Sequence, residues 1–334
     1  MEGIYVKYVN QKVNKIRWRP SENPSLEQSN TFATGSWDDE ENRVGLWTLS
    51  PSRRDDDGTD VDPSPLAVPG EMRSLCSVAH RGDVTDLLYL KNDLILAASS
   101  TGNVTLYKHH QRSETLSVQI SYERLHRCPR RRSPCTGLAH RDGEVVTVGE
   151  DGRINLLDIG QQAVVRCLDE ADSCAINAVA YTRQNEIAAT NSTGQLRTWD
   201  LRQPGDGATR NLHMTGERLP LNCIDRHPTQ PHVIATGGQH GMLYVWDLRQ
   251  ERSPTLLSAH SSDIWEVKFH PTHPDNLFTC SEDGSTWHWD ASFVKAALQA
   301  GKNFRRFLKS SRWLTIYSWN SSGFNCISVK EILQ

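Results

Sequence analysis

The chain has 334 residues, a length that suits two average domains or one large β-rich domain. With 37% hydrophobic and 23% charged residues it can build a packed core, which excludes wholesale disorder. A net charge of −3 argues against a dedicated nucleic-acid binder, and no apolar run is long enough to cross a bilayer.

Taken in chain order, the start Met1-Glu2-Gly3-Ile4 lacks the basic-then-apolar order of a secretory signal. Residues 3–9 alternate and predict a strand, and residues 13–18 predict another. Six similar segments follow, each with an apolar run, small residues, a turn and an alternating return. They end in Trp47, Tyr107, Leu157, Trp199, Trp246 and Trp289. Glu150-Asp151-Gly152, Ser192-Thr193-Gly194 and Glu282-Asp283-Gly284 read as hairpin turns, because glycine adopts positive φ without strain. A further strand precedes each pair; residues 264–269 are an example, stopped by His270-Pro271. Units of about 40–45 residues with three or four short strands read as blades of a β-propeller.

The charge is unevenly spread. Residues 291–334 carry seven Lys/Arg and one Glu, a net +6, which leaves −9 for the first 290. An acidic, proline-rich stretch over 55–69 and a basic knot at Arg127, Arg130, Arg131 and Arg132 read as solvated loops. The knot also suits a nuclear import signal or an acid-binding patch. The eight cysteines contain no C-x-x-C pair and read as reduced thiols.

Trp199-Asp200, Trp246-Asp247 and Trp289-Asp290, with Ala79-His80 and Ala259-His260 ahead of two units, resemble WD40 repeats. That resemblance implies an all-β WD40 propeller, expected here with seven blades and the last one short or incomplete. It also implies a hydrogen-bonded His, Ser/Thr, Asp and Trp network. His260, Thr279, Asp283 and Trp289 supply a full set, and Trp47, Trp199 and Trp246 close other blades. The second unit departs with Thr101 in the Asp place and Tyr107 at its end. The third keeps Thr147 and Asp151 but ends in Leu157, and the fifth has His240 in the Asp place. Residues 1–292 form the expected propeller, with strand 3–9 closing the last blade. Residues 293–334 form a divergent basic tail with room for a partial seventh blade.

Glu2-x-Ile4-Tyr5, Trp18-Arg19-Pro20, Phe32-Ala33-Thr34-Gly35-Ser36-Trp37-Asp38, Ala97-Ala98-Ser99-Ser100-Thr101-Gly102 and Trp265-Glu266-Val267-x-Phe269-His270-Pro271 narrow the match. Together with the run 146–156 they resemble the forty-three-kilodalton nucleoporin family, over residues 1–292. The resemblance implies a non-catalytic scaffold subunit of the Y-shaped complex of the nuclear pore, docked on a helical scaffold nucleoporin. It implies roles in nucleocytoplasmic transport of mRNA and protein, a nuclear location, and a kinetochore role in mitosis. It implies neither cofactor nor direct nucleic-acid or membrane partner.

Two W-D-x-R motifs, Trp199-Asp200-Leu201-Arg202 and Trp246-Asp247-Leu248-Arg249, resemble the docking signature for the adaptor of cullin-RING ubiquitin ligases. Arg202 and Arg249 would then meet partner carboxylates; the bland alternative is a salt bridge within the rim. The thirteen histidines offer two close pairs, His109-His110 and His270-x-x-His273. Without a Cys or carboxylate cluster beside them no metal site is expected. No G-x-S-x-G, phosphate loop or H-E-x-x-H is present, so no enzyme activity is expected.

Overall fold

The computed structural model describes residues 9–20, 29–49, 72–91, 93–128, 131–214, 218–250, 253–290, 313–320 and 323–331. The expected strand 3–9, all but its last residue, lies outside these. So do the acidic stretch 55–69, Arg130 and the tail segment 293–312.

Alternating short runs separated by tight turns can only pair with their neighbours, and they do. The first blade runs from Val13–Trp18 through Thr31–Ser36 and Arg43–Leu49 to Met72–Ala79, each strand antiparallel to the one before. The same up-and-down order repeats over 84–122, 135–168, 176–213 and 221–258. The sixth blade shows three strands, Ile264–Phe269, Asn276–Ser281 and Thr286–Asp290. The all-β propeller is thus the observed architecture, with six blades among the described residues. A hairpin of Trp313–Asn320 and Gly323–Glu331 lies with its backbone against Val13–Trp18 and Ile264–Phe269, the inner strands of the first and sixth blades. The turns are as tight as their glycines suggest. Gly152 has φ +73°, and a Cβ there would stand 2.1 Å from the Asp172 carbonyl oxygen.

A four-stranded blade cannot bury either face alone, so the core lies between blades. Val146, Ile154 and Leu168 of the third blade meet Ile176, Ile187 and Trp199 of the fourth. Equivalent clusters join the second and third blades around Leu157, the fourth and fifth around Trp246, and the fifth and sixth around Trp289. Leu157, Trp199, Trp246 and Trp289 therefore each stand on the blade before their own. Removing apolar area of this kind from water is the main stabilising term.

The inner strands share a second device. All six slip register after their first residue, bulging Asn14, Thr85, Thr136, Asn177, Asn222 and Trp265 out of the ladder. In five of them the bulged side chain donates to the carbonyl that opens the next inner strand. The acceptors are Val84, Cys135, Ile176, Leu221 and Ile264, at 2.5–3.3 Å. A girdle of hydrogen bonds thus runs from blade one to blade six. Across the remaining gap, the Arg17 guanidinium donates to Glu266 at 2.7 Å and to Asp86 at 3.1 Å, tying the first blade to the sixth and the second. Glu266 is 3% exposed, so this charge is buried and depends on its partners.

Candidate scaffold surface and its supporting network

The sixth blade brings the four expected residues together. His260 precedes the inner strand, Thr279 sits on the second strand, Asp283 on the turn and Trp289 on the third strand. The indole N–H of Trp289 donates to Thr279 Oγ1 at 3.0 Å, and His260 Nε2 meets the same hydroxyl at 2.8 Å. Between His260 and Asp283 stands Ser285, which sequence reading did not single out. His260 Nδ1 lies 2.8 Å from Ser285 Oγ, and that hydroxyl donates to Asp283 Oδ1 at 2.6 Å. The other Asp283 oxygen accepts the Ser261 N–H at 2.8 Å. Partial burial pushes the Asp283 carboxyl up, but the Ser285 hydroxyl and these backbone N–H groups outweigh it and hold it at about 2. Burial pushes His260 down, so it stays neutral at physiological pH.

The other closing residues find different partners. Trp47 donates to Thr34 and Trp246 to Thr236, both at 2.9 Å, repeating the sixth blade. In the fourth blade Ala189 stands where the threonine would be, and Trp199 donates instead to the Asp206 carbonyl at 3.1 Å. In the second, Ala97 replaces the threonine and the Tyr107 hydroxyl reaches His80 Nδ1 directly at 2.8 Å. Burial lowers His80 to about 4. The third blade, which ends in Leu157, has a network all the same. His126 stands between Asp151 and Thr147, each at 2.9 Å, and Asn155 donates to Thr147 and to the Leu125 carbonyl. His126 escaped the sequence reading because of the insertion around the basic knot. It lies nine residues ahead of its inner strand, where His80 and His260 lie four ahead. A search for any histidine between the outer and inner strands would have found it.

His270 and His273, one of the two close pairs, belong to a turn. His270 Nδ1 accepts the His273 N–H at 3.1 Å, as His227 Nδ1 accepts that of Gln230, so both cap His-Pro turns. No three His, Cys, Asp or Glu side chains converge as metal ligands among the described residues.

The WD domain, G-beta repeat family matches residues 251–290, which take in the outer strand of the fifth blade and the three described strands of the sixth. The chain is 47% identical to nucleoporin Nup43 of Mus musculus, over 97% of this chain and 84% of that protein. It is 50% identical to nucleoporin Nup43 of Homo sapiens, over 87% and 77% respectively. The chain belongs to the Nup43 family of nucleoporins. A more distant relative, the nuclear pore complex protein NUP43 of Arabidopsis thaliana, is 26% identical over 81% of each chain. The mouse alignment takes in nearly the whole chain, so the Nup43 likeness runs on into the basic tail.

Within this Nup43-family propeller the W-D-x-R motifs have an internal use. Arg202 forms a bidentate pair with Asp200, at 2.9 and 2.7 Å, and Arg249 pairs with Asp247 at the same distances. The two guanidinium side chains are still 71% and 61% exposed. The leucine between them is also engaged. Arg166, on the outer strand of the third blade, donates to the Leu201 carbonyl at 2.9 Å, and Arg210, on that of the fourth, donates to the Leu248 carbonyl. Each motif thus closes one blade on itself and receives an arginine from the blade before. These pairs end the third strands, on the face opposite the hairpin turns.

Proposed function

We propose that this chain is a non-catalytic scaffold subunit of the nuclear pore, a member of its Y-shaped complex held on a helical scaffold nucleoporin. The observation that carries this reading is the 47–50% identity to two Nup43 nucleoporins over most of the chain. A propeller supports it physically. Its blades are fixed to one another by buried cores and by the inner girdle, while its loops are free to carry recognition. In this reading the hairpin of 313–331 serves as a short seventh blade, strand 3–9 joins it, and the chain resides at the nuclear pore. It supports transport of mRNA and protein there and moves to kinetochores in mitosis. Affinity purification of the tagged full chain, read by mass spectrometry, is the test. Outer-ring nucleoporins are expected among the partners at near-stoichiometric yield, and their absence would overturn the proposal. Docking of a cullin-ligase adaptor on Arg202 and Arg249 is the weaker reading, because each guanidinium is already held by its own aspartate. Equal adaptor recovery with the Arg202→Ala/Arg249→Ala variant would dispose of it.

A further inference from the structure

The outer strands of the first three blades share a register but not a surface. Ser74, Val118 and Val164 face the closing residues Trp47, Tyr107 and Leu157, and each is followed by a bulged residue, Leu75, Gln119 or Val165. Two positions beyond the bulge stand Ser77, Ser121 and Cys167. Leu75 packs against the core between the first two blades. The third blade alone puts Val, Val and Cys in these places. Val164 and Val165 are 46% and 63% exposed, and Cys167 is exposed as well. Partial burial and the Asp169 carboxylate, which accepts its S–H at 3.1 Å, push the Cys167 thiol up to about 12. It therefore adds to the patch as a neutral, weakly polar side chain. Single apolar residues in water are ordinary, whereas a run of them rimmed by polar groups marks a contact surface.

The patch is rigid and bounded by acid. Arg166, the one cation of the strand, is turned toward the fourth blade, where it donates to the Leu201 carbonyl at 2.9 Å and the Gly205 carbonyl at 2.6 Å. The Asp169 N–H donates to Asp206 at 3.1 Å. At the start of the strand Ala163 faces Asp158, which in turn faces Glu144. At its end Asp169 and Glu170 follow in the chain. Glu144, Asp169 and Glu170 are exposed. Residues 135–170 hold seven Asp/Glu and three Arg, a net −4. The arginines are engaged: Arg141 lies 4.0 Å from Asp142, Arg153 3.3 Å from Asp169, and Arg166 holds the two carbonyls.

These features select an occupant. The bulge at Val165 interrupts the edge, which blunts it against the addition of another strand. A second copy would bring acid against acid. The same acid repels the phosphates of RNA and of an anionic membrane. Contact through side chains is left. Six strand residues span about 17 Å, the length of about three helical turns, so basic residues about eleven positions apart on a helix reach both acidic ends. We propose that the outer strand of the third blade, Ala163–Leu168, seats an α-helix of the scaffold partner. Its apolar stripe covers Val164, Val165 and Cys167, and its lysines or arginines meet the acidic ends. This inference rests on the scaffold reading and deepens it by naming the side of the propeller that the helical partner touches. That side is the circumference of the wheel, not the hairpin-turn face.

The test uses the tagged full chain. Val164→Ser with Val165→Gln installs side chains that the first and second blades already carry at these positions, and an unchanged urea midpoint checks that the variant folds. Its recovery of outer-ring nucleoporins is expected to fall about ten-fold. Glu144→Gln with Glu170→Gln is expected to give a several-fold fall and a weaker salt dependence. A photo-crosslinking residue in place of Val165 is expected to join an outer-ring nucleoporin, within a segment that has apolar residues at helical spacing and lysine or arginine at its ends. Unchanged recovery by Val164→Ser/Val165→Gln would overturn the proposal and leave the scaffold reading standing. So would crosslinks to an extended segment, to a second copy of this chain or to RNA. Absence of outer-ring nucleoporins from the wild-type sample is a different result, and it would overturn both.

Discussion

In the sixth blade, Trp289 and His260 both reach the hydroxyl of Thr279; in the second, Tyr107 reaches His80 directly and Ala97 occupies the threonine position. The backbone register is the same in both. Leu277 faces Trp289 as Ile95 faces Tyr107, and Thr279 and Ala97 each stand two residues further along. A phenol hydroxyl extends beyond its ring, so it can meet the imidazole without a relay, whereas an indole N–H at the ring edge needs the threonine between. The third blade goes further and drops the aromatic. Leu157 fills the volume, while Asn155 takes over the donor role two residues away. What the blades have in common is a buried imidazole, or another polar group, that must be partnered, and a closing side chain that must fill the gap to the preceding blade. Burial fixes the requirement and leaves the chemistry free.

If so, the largest loss follows from removing a closing ring. Trp289→Ala is expected to cost about 3–5 kcal/mol, because the cavity opens in the core between the fifth and sixth blades. Denaturant unfolding checks it. Next comes the network without an aromatic. His126→Ala leaves Asp151, Thr147 and Asn155 buried with partners missing, for an expected loss of about 3 kcal/mol. A loss below 1 kcal/mol would mean that the third blade does not share the requirement.

The pH dependence sharpens the comparison. Burial holds His80 at about 4, below the ordinary 6.5, so the folded state binds fewer protons than the unfolded state between these values. The stability tied to neutral His80 is complete above pH 6.5 and is lost as pH falls toward 4. At pH 4.5 the loss is about 2–3 kcal/mol. Urea midpoints at pH 7 and 4.5, compared between the wild-type chain and His80→Asn, measure it, and the variant is expected to show the smaller difference. The smallest effect belongs to the rim. Arg202→Ala is expected to leave the urea midpoint essentially unchanged, since the guanidinium in its pair with Asp200 is 71% exposed.

Three strands of each unit, their hairpin turns and the large residues that end the third strands were legible from alternation, glycine placement and spacing, because each depends on residues close together in the chain. The sixth-blade set was legible from the WD40 resemblance. The rest depends on residues that only the closed ring brings together. The girdle pairs Asn14 with Val84 and Asn177 with Leu221, and no periodicity marks a one-residue bulge. Arg17 and Glu266 meet from the first and sixth blades, and nothing in either local sequence announces a buried ion pair. Ser285 stands at the start of a return strand, where nothing local marks its hydroxyl as a relay, and Arg166 and Arg210 lie on outer strands whose inter-blade acceptors are carbonyls.

The most direct test rebuilds one blade in the chemistry of another. Ala97→Thr alone buries a hydroxyl beside His80 with no indole to use it, and Tyr107→Trp alone removes the hydroxyl that His80 meets. Both single variants are expected to lose about 1–3 kcal/mol. Together they recreate the His, Thr and Trp chain of the sixth blade. The double variant is expected to recover most of the loss, with a coupling of at least about 1 kcal/mol in a double-mutant cycle. Additive losses would contradict the claim that the two corners meet one requirement in two ways.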